Sequence, residues 1–163
     1  MKMTRLAWIK VTCATALSIT AFSSAIAQPA ELRVGLIPSE DAQAMIRASQ
    51  QIMDQLAEKS GMKVRPFVAN DYNGVIEALR SGKLDIAYLG PFSYVLASEV
   101  ANAEAFAVAV TKKTGTSSYQ SLLITRKDSG LDSVAKLKGK TFSFVDPSSA
   151  SGHLFPKAGL LAE

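Results

Sequence analysis

Three serines fall within five residues at Ser148-Ser149-Ala150-Ser151-Gly152, and this is the segment with the most chemistry to offer. It follows the apolar run Thr141 to Val145 and precedes an apolar helical stretch, so it reads as a turn from a buried strand into a helix. The first amides of a helix have no internal acceptor and point outward. With the helix dipole they form an anion site, and in open α/β sheets ligands sit at that edge of the strands. Ser149 and Ser151 can add hydroxyl donors, and Gly152 lets a ligand approach the backbone. Each hydrogen bond to a charged oxyanion contributes roughly 1.5–3 kcal/mol net. A serine at a helix start is more often only a cap, so the segment alone is weak support for a site.

Two tyrosines extend the pattern. Tyr72 and Tyr119 each lie beside a predicted connection, where a phenol offers an O–H to an oxyanion and an aromatic wall to its substituent. The competing role is a half-buried packing tyrosine. Tyr88 reads as core, Tyr94 as a helix-face residue, and Ser93 as the cap of its helix.

Catalysis reads poorly. His153 is the single histidine, and it lies close in sequence to Ser149 and Ser151, but no G-x-S-x-G elbow surrounds them. Gly-rich phosphate loops and carboxylate pairs at metal-ligand spacing are missing from the sequence. One Cys and one His exclude multi-Cys clusters and His-rich zinc sites. The expectation is a binding protein with no cofactor and no metal, not an enzyme.

The elements that must position these residues alternate between strand and helix. Strands are predicted at Leu32 to Ile37, Lys63 to Val68 and Leu84 to Leu89, then at Phe106 to Val110, Tyr119 to Arg126 and Thr141 to Val145. A long helix should start near Ser39, Glu40 and Asp41 and run to Ser60, with Met45, Ser49, Ile52 and Leu56 at helical spacing, Ile46 and Met53 beside them, and Gly61 past its end. Asp71 can cap a second helix, closed by Gly82; a third covers Tyr94 to Ala101; a short one spans Leu131 to Leu137. Strands apolar on both faces and separated by helices mark a parallel sheet covered on both sides.

Composition misleads until it is split. The 163 residues carry 18 basic and 14 acidic side chains, a formal charge of +4. At 48% hydrophobic and 20% charged residues, the chain is no disordered one. Lys2, Arg5 and Lys10 precede a charge-free apolar run, Val11 to Ala27, that ends Ala25-Ile26-Ala27, an export-signal pattern. Removing it leaves 15 basic against 14 acidic residues, hence +1, and no Cys. A nucleic-acid partner loses its electrostatic basis. A lipoprotein signal would place a Cys at the cleavage point, whereas Cys13 lies in the early apolar run.

Five collinear segments carry a family resemblance: Leu32 to Pro38, Asn70 to Leu79, Gly82 to Pro91, Ser118 to Ile124 and Asp146 to Gly152. Together they resemble the phosphonate-binding proteins of ABC importers, whose members bind phosphonate, phosphite and related phosphorus oxyanions. The resemblance implies an α/β, type II periplasmic binding protein fold with two lobes, mixed sheets and ligand between the lobes. It implies a signal peptide at 1–27, most of lobe one at 28–118, a hinge-crossing strand at 119–127 and the start of lobe two at 128–163. An ending inside an apparent helix, Gly159 to Glu163, fits a chain that covers only part of this pattern. Tyr72 would match the family's lobe-one tyrosine, Tyr119 its hinge tyrosine, and Ser149, Ala150 and Ser151 its Ser-Thr-Ser oxyanion loop. Ala150 departs from the Thr form, losing a hydroxyl and keeping an amide. The implied function is periplasmic capture of a phosphorus oxyanion for an inner-membrane ABC permease. The alternatives are a binder of another small anion such as a sulfonate, a ligand-presenting sensor component, or a non-functional fragment.

Overall fold

A computed structural model describes residues 30–162, so the export signal read at residues 1–27 lies outside the described residues. Strand β1, Glu31–Leu36, is the centre of a three-stranded sheet of order β2-β1-β3. Strand β2, Lys63–Val68, pairs with it in parallel from Glu31 opposite Lys63 to Leu36 opposite Val68. Strand β3, Ile86–Tyr88, pairs in parallel on the other side, against Val34 to Leu36. Parallel pairing requires a crossover, and helices supply it: α1, Ala42–Ser60, between β1 and β2, and α2, Tyr72–Arg80, between β2 and β3.

The crossovers begin and end where local chemistry dictates. The Asp41 carboxylate accepts from the Ala44 amide at 2.9 Å, and Asp71 accepts from Gly74 at 2.7 Å, so each helix has an acidic N-cap. Helix α1 stops at Gly61, whose φ of 67° is the left-handed conformation that glycine adopts without a Cβ penalty. Helix α3, Pro91–Ala101, starts earlier than its apolar pattern indicates, because Pro91 is suited to the first helical position. Ser93, expected as the cap, is instead the third residue of α3; fully buried, it accepts from the amide of the N-cap, Gly90, at 2.9 Å.

Both faces of the sheet are covered. Val34, Leu36 and Met53 form one buried cluster with α1, and Ile37, Tyr72, Val75 and Leu84 form a second with α2. Successive residues of a strand face opposite ways, which separates the two clusters. Asp85 binds the start of β3 to β1: it accepts from the Arg33 backbone amide and from its guanidinium at 2.7–2.9 Å. These bonds hold its carboxyl down at about 2.

Several sequence expectations are corrected. The buried stripe of α1 runs through Met53, with Met45, Ser49 and Leu56 half-buried, while Ile52 faces solvent at 59% exposure. Tyr88 is not core: it is 59% exposed, because β3 is short and no strand covers its outer edge among the described residues. The runs Phe106 to Val110, Tyr119 to Arg126 and Thr141 to Val145 form no ladder. Their β-propensity is real, but a strand exists only with a hydrogen-bonded neighbour, and among the described residues none lies alongside. Only an isolated bridge, Thr111 to Thr116, forms in the connector. The short helix is a 3₁₀ turn, Val134–Leu137. The C-terminal helix α4, Phe155–Ala162, is entered through a wide π-type turn, Ala150–Leu154.

Candidate functional site

The serine loop is built by its first aspartate. One Asp146 oxygen accepts from the Ser148 amide at 2.7 Å, and the Asp146 carbonyl accepts from the Ser149 amide at 2.8 Å. These bonds turn the chain sharply after Pro147. The Ser149 hydroxyl then accepts from the Gly152 amide at 3.1 Å, and the Ser149 carbonyl accepts from both His153 and Leu154. Ser149 is therefore the N-cap of the wide turn. The amides of Ala150 and Ser151 find no acceptor among the described residues. They are the unpaired donors that a helix start presents.

Gly152 has a different duty from the one its position suggests. A Cβ there would lie 2.5 Å from both the Cβ and a Cγ of Val145, whose amide donates to the Gly152 carbonyl at 2.9 Å. The glycine lets the loop close on its own incoming segment, so ligand approach is not what requires it.

Tyr72 meets this loop from the other side. It is the first residue of α2, is 3% exposed, and packs with Ile37, Val75 and Leu84. This one side chain both belongs to the core and lines the cleft. Burial pushes its phenol above the ordinary value of 10, opposed by the neighbouring Ser149 side chain and reinforced by the nearby Asp146 charge. The hydroxyl is thus a neutral O–H at physiological pH, able to donate.

All five residues named from the sequence come together. Tyr72, Tyr119, Ser149, Ala150 and Ser151 line one cleft of about 900 Å³. Ser149 and Ala150 form its buried floor, at 8% and 4% exposure, and Tyr119 stands at its edge, largely exposed. The Ser121 hydroxyl donates to the Ser151 carbonyl and holds the Tyr119 segment beside the loop. Ser39, Tyr88 and Tyr94 also line this space and escaped the sequence reading, since each looked like a cap, a core residue or a helix-face residue. His153 does not join a serine. Its Nδ1 lies 3.4 Å from the Val145 carbonyl, and its ring packs on Phe144 with centroids 4.9 Å apart. No cluster of three or more metal-ligating side chains exists among the described residues. What the cleft offers is hydroxyls, free amides and an aromatic wall, the donors that bind a small oxyanion.

Comparison with known proteins agrees with this chemistry. The family model for the periplasmic substrate-binding protein of ABC phosphonate transporters matches residues 34–163. The chain is 38% identical over 133 residues to a phosphonates-binding periplasmic protein of Escherichia coli, covering 79% of this chain and 39% of that protein. It is 33% identical over 137 residues to a phosphate-import protein of Mycolicibacterium smegmatis, covering 83% of this chain and 43% of that one. Among solved structures, a binding protein component of an ABC phosphonate transporter from Pseudomonas aeruginosa superposes with a TM-score of 0.72 at 32% identity, over 78% of this chain and 43% of the other. PhnD1 of Prochlorococcus marinus, solved with methylphosphonate, superposes at 0.63 with 23% identity, over 82% of this chain and 50% of the other, a likeness of fold. The chain spans about two fifths of the length of the curated relatives it matches.

Proposed function

The chain belongs to the family of periplasmic substrate-binding proteins of ABC phosphonate transporters, and on that premise we propose that it contributes the oxyanion-binding wall of a phosphonate or phosphite receptor. The observation that carries this reading is the meeting of Tyr72, Tyr119 and the Ser149–Ser151 loop on one cleft, with two amides left without acceptors. In this reading the amides of Ala150 and Ser151 and the hydroxyls of Ser149, Ser151 and Tyr72 donate to the oxyanion. Tyr119 closes the side of the cleft against the organic substituent.

The wider proposal follows the family. Residues 28–118 are most of one lobe, 119–127 a crossing segment and 128–163 the start of the second, after export and cleavage behind Ala27. Ligand bridging the lobes biases an open–closed equilibrium, and an inner-membrane permease reads the closed form. Binding rather than turnover is supported by His153, whose ring nitrogen faces a backbone carbonyl instead of a serine.

Calorimetric titration of the full-length protein with methylphosphonate, phosphite, phosphate and sulfate tests the proposal. A phosphorus oxyanion should bind, and Tyr72→Ala and Ser149→Ala should each weaken it by roughly 1–3 kcal/mol, the worth of one charge-assisted bond. Binding of no phosphorus compound sinks the reading, and wild-type affinity in both variants removes these residues from it.

A further inference from the structure

The N-terminus of α2 and the serine loop, 74 residues apart in sequence, are fastened together by a side chain that the oxyanion reading does not use. One oxygen of Asp146 accepts from the Ser148 amide at 2.7 Å, and the other accepts from the Tyr72 amide at 3.1 Å. A second tie runs beside it: the Ser148 hydroxyl donates to the Asn73 side-chain oxygen at 3.1 Å, and Ser148 is buried. Asp71, the cap of α2, is already committed to Gly74. Asp146 therefore satisfies an α2 amide that the helix's own cap does not reach. Its charge is favourably placed at the positive end of the helix dipole.

We propose that Asp146 is a positioning residue of the anion site: its carboxylate clamps the first amide of α2 to the start of the serine loop and thereby holds the Tyr72 hydroxyl in register with Ser149. The inference rests on the oxyanion reading for its effect on affinity, and on geometry alone for the clamp. Asp146 touches no ligand in this scheme. It acts through Tyr72 and Ser148, by keeping donors from two distant segments at a fixed separation. Asn73 and Ser148 support the same contact. Because both oxygens are used, an isosteric amide keeps one acceptor and loses the other.

The test compares the full-length wild type with Asp146→Ala and Asp146→Asn in two measurements. The first is native-state hydrogen exchange of the Tyr72 amide by NMR, with the Val75 amide of the same helix as reference. The clamp predicts that D146A speeds Tyr72 exchange at least tenfold relative to Val75, with D146N intermediate. Equal acceleration of both amides, or of neither, overturns it. The second is titration with methylphosphonate. Affinity should fall at least tenfold in D146A and be partly restored in D146N; unchanged affinity in D146A overturns the positioning role. A wild type that binds no probe fails the oxyanion reading instead, and the exchange comparison then decides the clamp by itself. Should D146A not fold, D146N decides by the same comparisons.

Discussion

At the scale of single residues, Tyr72 is at once a core residue and a cleft-lining one, places that the sequence offered as alternatives. Its ring belongs to the core beside Val75 and Leu84, and it lines the same cleft as Ser149. Burial raises its pKa from 10, so the folded state holds this proton more firmly than the unfolded chain. The contribution to stability is therefore fully present below pH 10 and is lost as pH rises through the raised value. In an alkaline titration followed by phenolate absorbance, one of the four tyrosines should ionise late, and Tyr72→Phe should abolish that late step. A Tyr72 transition at or below 10 would contradict the buried, neutral donor. The role of Asp41 and Asp71 as caps was legible from neighbours three residues away, because capping is a local interaction. The contact between Asp146 and Tyr72 was not, since no short-range pattern encodes a bond across 74 residues.

At the scale of elements, the serine loop depends on an absent side chain. Gly152 touches Val145 so closely that any Cβ would strike backbone-proximal carbons, which cannot swing away as the tip of a long side chain can. Gly152→Ala should cost about 1–3 kcal/mol of stability, the usual range for overpacking. Urea denaturation would measure it, and an unchanged midpoint would show that the loop relaxes freely. The sequence identified this glycine and assigned it to the ligand; only the position of Val145 reveals the packing reason. Strand β2 was legible to the residue, because Lys63–Val68 is bounded by a helix stop and a polar turn. The apolar runs at 106–110 and 119–126 carry equally good β-propensity and form no strand here. Propensity describes a residue's fit to a sheet, whereas the ladder depends on a neighbour that lies elsewhere in the chain.

At the scale of the molecule, order is concentrated in the β1-α1-β2-α2-β3-α3 unit, whose two buried clusters flank a central strand. The segment from Glu104 to Asp128 is exposed throughout, with Phe106 at 78% and Ile124 at 88%. Hydrogen exchange should accordingly be slowest in β1, which is paired on both edges, and fastest across residues 104–128. Peptide-resolved mass spectrometry would read this gradient, and equal protection in the two regions would refute it. The α/β class was legible from the alternation of apolar runs and capped helices. The convergence of Tyr72, Tyr119 and the serine loop followed from the family resemblance, not from spacing, because cleft residues from separate segments share no periodicity.

The sheet order has a consequence in time as well as in space. Among the described residues strand β1 is the earliest strand to be synthesised, yet its pairing partners begin 32 positions later, at Lys63, and its last partner, Tyr88, follows 52 positions after Leu36. The centre of the sheet is therefore left unzipped while some fifty further residues are translated, and its closure must wait for distant contacts, a slow kind of folding step. Under the export proposed above, this arrangement gives the chain an interval in which to pass unfolded through a membrane. Its first strand cannot complete its place in the sheet until β3 has emerged, and the delay is written into the order of the strands.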